Sequence, residues 1–395
     1  MTTAASRTVE IRHPLKFFIG GEWTPPSSSK SIDVIDSATE EVFLTVAEAQ
    51  EPDIESAVTA ARAAFDTGPW PRMTPQERAG FLLRIADAWA GKAQALGDSW
   101  TMESGTVNRI AAHASKTAAS IFREYAGYAD TFEWEEKRTS ATGQPALLVR
   151  EPVGVVTAII PWNIPYSLMA YKVAPALLSG CTVVLKASPE APSAPYLFAE
   201  ICEEIGLPAG VVNVLTADRE VSELLVRHPG VDKVSFTGST AAGRRIASLC
   251  GERIARVTLE LGGKSPAVIL DDYDVGQAAA SLARSAPIMT GQVCSSLTRI
   301  IVTEKRHDDL VDALSAAFGA VKVGDPFDPD TRMGPLAMAR QRDRVENLIE
   351  RARAEGARLA TGGSRPSHLN RGYFIEPTVF ANVDNDSTIA REEVF

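Results

Sequence analysis

The chain has 395 residues with 50 acidic and 40 basic side chains, a formal net charge of −10, and 45% apolar against 23% charged residues. That length exceeds one simple core and implies two or three domains. The composition is that of a soluble globular protein, and the acidic balance argues against phosphate backbones and anionic membranes as partners.

No apolar run approaches the ~18 residues that span a bilayer, and Met1 to Arg12 holds no signal-peptide core. The four cysteines, Cys181, Cys202, Cys250 and Cys294, fit no metal-ligand spacing. A cytoplasmic, reducing compartment with free thiols and no bound metal is therefore expected.

Phe17 to Trp23 reads as a strand with a tight Gly20-Gly21 turn, followed by a Pro/Ser-rich loop. Helical spacing runs from Asp53 to Phe65 and from Thr74 to Trp89, the second with Thr74 as N-cap and Pro75 at the first helical position. A third helical pattern covers Ile110 to Thr131. The character then changes: Glu133 to Val149 suggests a hairpin leaving the body, either an ordinary surface hairpin or an edge on which a second subunit pairs.

Next come the apolar runs Val155 to Ile160, Thr182 to Leu185, Val211 to Leu215 and Lys233 to Phe236. They alternate with helical patterns at Leu168 to Leu178, Ala194 to Ile205 and Glu220 to Val226. Such alternation is the mark of a doubly wound α/β parallel sheet, in which ligands bind beyond the carboxyl ends of the strands.

The loops at those ends carry chemistry. Pro161-Trp162-Asn163-Ile164-Pro165 is stiffened by two prolines, and Asn163 either donates an amide N–H to an oxyanion or caps the following helix. Lys186 can donate to a ribose or phosphate, or is a solvated charge. Thr237-Gly238-Ser239-Thr240 opens a helix whose free N–H groups favour an anion, although its spacing is neither the Rossmann fingerprint nor a P-loop.

Glu260 ends a strand pattern, and Cys294 follows 34 residues later in Gly291-Gln292-Val293-Cys294. A thiol can add covalently to a carbonyl carbon, and a carboxylate can then activate water to release the product. None of the five histidines lies in a segment resembling a Cys-His hydrolase motif. Tyr166, Met169, Met289 and Trp162 suggest either an apolar substrate tunnel or plain core.

With these motifs, and with Gly206-Leu207-Pro208-Ala209-Gly210-Val211 and Glu260-Leu261-Gly262-Gly263-Lys264, the chain resembles the NAD(P)-dependent aldehyde dehydrogenase superfamily. The resemblance implies a doubly wound cofactor domain at 1–132 and 150–259, an oligomerisation hairpin at 133–149, and a second α/β catalytic domain at 260–395. It implies Cys294 as nucleophile, Asn163 with the Cys294 backbone N–H as oxyanion donors, Glu260 as deacylating base and Lys172 as its partner in proton transfer. It implies cofactor contacts from Ile160, Trp162, Lys186, Ser188, Gly238, Ser239, Leu261, Glu393 and Phe395. The implied partners are a small-molecule aldehyde and further copies of the chain, as a homodimer or homotetramer.

Pro189 stands where relatives that favour NAD carry a glutamate, with Glu190 the nearest acid, so NAD is the first expectation and NADP the second. The family continues beyond Phe395 by roughly a fifth of its usual length. The catalytic domain is accordingly expected to be incomplete, with apolar core and strand edges open around Cys294 and with poor solubility or activity. Two other readings share the residues: an inactive relative that binds nucleotide or pairs with a homologous subunit, and a cofactor-free thiol esterase using Cys294 and Glu260.

Overall fold

A computed structural model describes residues 9–395; the reading of the first eight residues as lacking a leader core lies outside them. The chain opens with the hairpin β1 (Phe17–Ile19) and β2 (Glu22–Thr24), turned at Gly20 and Gly21 with φ of 63° and 87°. A two-stranded antiparallel sheet follows, β3 (Ser31–Ile35) with β4 (Val42–Ala47). Then come four helices: α1 (Glu51–Asp66), α2 (Pro75–Gly91), α3 (Ala93–Ser104) and α4 (Asn108–Thr131). Thr74 caps α2 as expected, its hydroxyl accepting the Glu77 N–H while the Glu77 carboxylate accepts the Thr74 N–H. Helix α3 is absent from the sequence reading.

The stretch 133–149 forms a two-stranded hairpin, β5 (Glu135–Thr139) and β6 (Pro145–Val149), which pairs with no other strand among the described residues. Leu147, Leu148 and Val149 are exposed on it.

From there the alternation expected from sequence is present: β7 (Val155–Ile159), α5 (Pro165–Leu178), β8 (Thr182–Ala187), α6 (Ser193–Glu204), β9 (Val212–Thr216), α7 (Arg219–Arg227), β10 (Lys233–Thr237), α8 (Thr240–Glu252) and β11 (Arg256–Glu260). Strands β7, β8 and β9 are buried throughout, which is why they read as unbroken apolar runs rather than alternating ones. The sheet order is β11-β10-β7-β8-β9-β1-β2, parallel from β11 to β9 and antiparallel for the opening hairpin. Strand order reverses between β7 and β10, which is where such sheets open a crevice for a ligand.

Two apolar cores lie on the two faces. One gathers α2, α4, α5 and α6 around Trp89, Trp100, Tyr166 and Phe198; the other packs α1, α7 and α8 around Phe17, Ile54, Val184 and Leu225. The tunnel reading of Tyr166 and Met169 is thereby corrected. Both are fully buried in the first core, and the Tyr166 hydroxyl bonds to Ser99 and the Leu96 carbonyl.

The remaining chain builds β12 (Ser265–Val268), α9 (Val275–Ser285), β13 (Leu297–Ile301), α10 (His307–Gly319), α11 (Ala339–Ala354), β14 (Arg358–Thr361), β15 (Val379–Ala381) and α12 (Thr388–Arg391). Here β12 and β13 pair in parallel and β14 and β15 antiparallel, as separate two-stranded sheets. Some apolar side chains on β12 and β13 face outward: Val268 is 58% and Ile301 42% exposed, and Val257 on the sheet's edge strand β11 is also exposed. A cavity of about 550 Å³ lies beneath, lined by Lys264, Leu314, Phe318, Ile375, Val379 and Phe395 among others.

Candidate active site

The expected loops meet at the carboxyl ends of the parallel strands. Ile160 and Trp162 leave β7, Lys186 is the last residue but one of β8 with Ser188 just beyond its end, Gly238 and Ser239 leave β10, and Glu260 ends β11. Register places Lys186 beside Ile159 and Glu260 beside Thr237.

Asn163 does not cap α5. The cap position is Ile164, which makes no side-chain cap bond; Asn163 is instead buried and donates its Nδ2 amide to the Gln292 carbonyl at 2.9 Å. The capping alternative is thus overturned, because a backbone acceptor two residues before Cys294 claims the amide. The Trp100 indole N–H holds the Asn163 carbonyl at 2.8 Å and fixes the loop from behind.

Cys294 is exposed, whereas Cys181, Cys202 and Cys250 are buried and all four are free thiols. A carbonyl reagent therefore reaches one thiol and not the others. The Cys294 backbone lies over the turn after β11, since a Cβ added to Gly263 would come within 2.9 Å of the Cys294 carbonyl oxygen. That contact carries the Cys294 loop to within a few residues of Glu260.

Lys172, on α5, is buried and donates to the Ser235 hydroxyl at 3.2 Å. Burial pulls its ammonium down to about 8, the Glu260 charge opposing the shift and Lys233 adding to it. The Glu260 charge at the end of β11 thus acts on the lysine.

The remaining residues form a second group. Lys186 is buried rather than solvated, and burial pulls its ammonium down to about 8 against the charges of Glu190 and Asp218. Ser188 donates its hydroxyl to Glu190, which also pairs with Arg340 at the start of α11. Ser239 caps α8 by accepting the Ala242 N–H at 3.3 Å. Leu261 packs on the first turn of α8, where a Cβ on Gly243 would overlap its side chain.

Glu393 accepts the Gly263 N–H at 3.4 Å, and burial raises its carboxyl above the usual range despite that bond and the nearby Arg344 and Lys264. The Phe395 ring stands edge-on to Trp162 with centroids 5.3 Å apart. The last three residues therefore close back over loops that are over a hundred positions away.

Two residues that sequence reading passed over also belong here. Gln341, on α11, is buried and donates to the Phe395 carbonyl. Gln292 is 1% exposed and bonded through both ends of its side-chain amide. Gln292 stands inside a quoted motif, and a buried glutamine next to a cysteine in a glycine loop was the available signal. Gln341 had none, since it lies in a charge-rich helix.

The crevice suits a dinucleotide. The buried Thr237 hydroxyl at the end of β10 has no hydrogen-bond partner among the described residues. Beside it, a Cβ on Gly238 would strike the Phe236 ring at 2.5 Å, so this turn keeps its backbone bare where the N–H groups of α8 begin. A buried ammonium at Lys186 supplies a donor two strands over, on β8.

Comparison with known proteins gives a consistent picture. The model of the aldehyde dehydrogenase family matches residues 23–395. The chain is 44% identical to a geranial dehydrogenase of Castellaniella defragrans, over 98% of this chain and 80% of that one. It is 38% identical to a chloroplastic betaine aldehyde dehydrogenase of Amaranthus hypochondriacus, over 98% and 78%. Among solved structures, a Mycobacterium tuberculosis aldehyde dehydrogenase complexed with NAD+ superposes with a TM-score of 0.93 at 42% identity, covering 96% of this chain and 79% of that one. A cysteine-to-alanine mutant of aldehyde dehydrogenase C from Pseudomonas syringae, complexed with NAD+ and octanal, gives 0.94 at 35%, covering 99% and 80%.

Proposed function

The chain belongs to the aldehyde dehydrogenase family, and from that premise we propose that it oxidises an aldehyde to the carboxylic acid with NAD through a covalent intermediate on Cys294. The observation that carries this reading is the Asn163 amide bonded at 2.9 Å to the loop of the exposed Cys294. An oxyanion donor and a nucleophile then share one anchored segment.

In this reading the Cys294 thiolate adds to the aldehyde carbon, and the carbonyl oxygen becomes an oxyanion. A primary amide has two N–H donors; Asn163 commits one to Gln292 and keeps one for that oxygen, with the Cys294 backbone N–H as second donor. Bound NAD would supply the hydride acceptor, and the former aldehyde carbon, losing hydride as the oxyanion collapses, becomes the thioester carbonyl on Cys294. Glu260 takes a proton from water, the water oxygen attacks the thioester, and the acid departs as the thiolate is restored. Lys172, held against Ser235 and coupled to Glu260, supplies a route for that proton.

Lys186 and Ser188 would hold the adenosine ribose, Gly238 and Ser239 the pyrophosphate, and Glu393 the nicotinamide ribose. Ile160, Trp162, Leu261 and Phe395 would wall the rings. Relatives with NAD+ bound support NAD as first choice, with NADP second. The division at 259/260 is supported by β11 being the last strand of the large sheet. The exposed hairpin at 133–149 supports pairing into a homodimer or homotetramer, which light scattering would read.

The test follows NADH formation with geranial, octanal and betaine aldehyde, with Cys294→Ala as control. Reduction that vanishes in the variant supports the reading. Ester hydrolysis without cofactor reduction, or cofactor binding without turnover, would replace it.

A further inference from the structure

The loop presenting Cys294 is built from backbone that side chains rarely adopt. Met289, Thr290 and Gly291 stand in succession in the left-handed region, with φ of 50°, 58° and 75°. Glycine does so freely, but a β-branched threonine there is an outlier that persists only where its surroundings over-determine it. The Thr290 hydroxyl is itself tied down, donating to the Gly334 carbonyl at 3.1 Å.

The main restraint is the next residue. The Gln292 Nε2 donates to the Ser104 carbonyl at 3.1 Å and to the Met289 carbonyl at 3.1 Å, and its Oε1 accepts the Ala337 N–H at 2.9 Å. Both donors and the acceptor oxygen of the amide are therefore used, on partners from three separate stretches: the end of α3, the strained turn itself, and the segment leading into α11. The backbone carbonyl of the same residue accepts the Asn163 amide. One buried residue thus connects the strained turn, the oxyanion donor and the nucleophile.

We propose that Gln292 is the positioning residue of this site, its side-chain amide holding Cys294 and Asn163 in a single relative geometry. It acts through them and touches neither substrate nor cofactor. What that geometry is for rests on the aldehyde oxidation proposed above. The requirement for an amide is specific. A methionine of similar volume would leave the Ser104 carbonyl and the Ala337 N–H unpaired and strip the Met289 carbonyl of its side-chain donor, leaving it only the Gln292 backbone N–H, and a glutamate would set a carboxylate against two carbonyl oxygens. Freed of these ties, the turn relaxes away from its left-handed angles and carries Cys294 off its line to Asn163, and misplacement by about an ångström costs roughly 100-fold in rate.

The test uses the whole chain as Gln292→Met, with Leu282→Ala as a destabilised control whose cavity lies in the core around α9 and α10. Amide exchange read by mass spectrometry should quicken at least about tenfold in residues 288–296 of the Met variant and stay at the wild-type rate there in the control. The Met variant's kcat should fall about 30-fold with KM for NAD within about twofold, while the control keeps its kcat. Unchanged local exchange overturns the proposal, and so does a kcat no lower than the control's. Faster local exchange in a protein whose wild type reduces no NAD with any aldehyde would remove the oxidation reading and leave the anchoring established.

Discussion

Gly263 lies directly against the Cys294 carbonyl, so closely that a methyl group at 263 would sit 2.9 Å from that oxygen. The neighbouring Gly262 faces a different group, the flexible Glu393 carboxylate. Two consecutive glycines therefore separate two functions. One lets the backbone of Cys294, the proposed nucleophile, settle beside the Glu260 turn, and the other makes room for an acid proposed to hold the nicotinamide ribose.

That separation predicts different kinetics for two alanine substitutions. Gly263→Ala pushes on backbone, which cannot swing aside, so kcat should fall about tenfold or more with KM for NAD little changed. Gly262→Ala displaces only the Glu393 side chain, so KM for NAD should rise several-fold while kcat falls less. Steady-state kinetics of the pair checks this, and identical profiles for the two variants would contradict the assignment of Glu393.

Asn163→Ala removes a donor proposed for the oxyanion and leaves the Gln292 carbonyl buried without its partner. Loss of one such donor costs about 100-fold to 1,000-fold in kcat. The unpaired carbonyl should cost about 1–3 kcal/mol of stability. Single-turnover measurement of hydride transfer, with denaturant unfolding alongside, reads both. A variant that loses stability but keeps its hydride-transfer rate would place Asn163 in the scaffold alone.

Much of this was legible in the chain because buried parallel strands write themselves as apolar runs. Val155–Ile159 and Thr182–Ala187 are buried at every position, and the loops worth inspecting follow from their ends. Helix α3 was not legible, since Ser99, Thr101, Glu103 and Ser104 are buried polar residues that break an apolar stripe. That Asn163 is not a helix cap depended on a partner 129 positions away. Gln292 meets Ser104 across 188 positions, a contact that no local pattern announces.

Lys172 gives a pH dependence with a definite sign. Its folded-state pKa is lowered from 10.5 to about 8, chiefly by burial. Between those values the unfolded chain holds a proton that the fold has released, so stability rises with pH across the window. Below about 8 both states are charged, and the fold bears the whole cost of the buried ammonium, at most about 3 kcal/mol. Lys172→Met should therefore be more stable than wild type near pH 7, the difference shrinking as pH rises toward 10.5, while turnover suffers from the lost proton route. Denaturant unfolding at both pH values measures it. A difference that does not change with pH would show that the ammonium is not desolvated as the packing against Ser235 implies.

Glu190 bears on the choice between NAD and NADP. It lies within electrostatic reach of Lys186, accepts the Ser188 hydroxyl and pairs with Arg340. Burial pushes its carboxyl up, but Arg340 and Ser188 outweigh burial and hold it below the ordinary range, so it is a fixed negative charge at neutral pH. With the adenosine ribose held at Lys186 and Ser188 as proposed, an anion at that spot would repel the extra 2′-phosphate of NADP, and it occupies the arginine that could otherwise bind it. Glu190→Ala removes the repulsion and releases a guanidinium suited to phosphate at once. The ratio of kcat/KM for NADP to that for NAD should rise about tenfold, equivalent to about 1.4 kcal/mol. In the double variant with Arg340→Ala the part of the gain due to the freed arginine should disappear, leaving only the relief of repulsion. An unchanged ratio in Glu190→Ala would mean that the ribose lies away from Lys186 and Ser188. The adenosine end of the proposed site would then have to be drawn elsewhere along the strand ends.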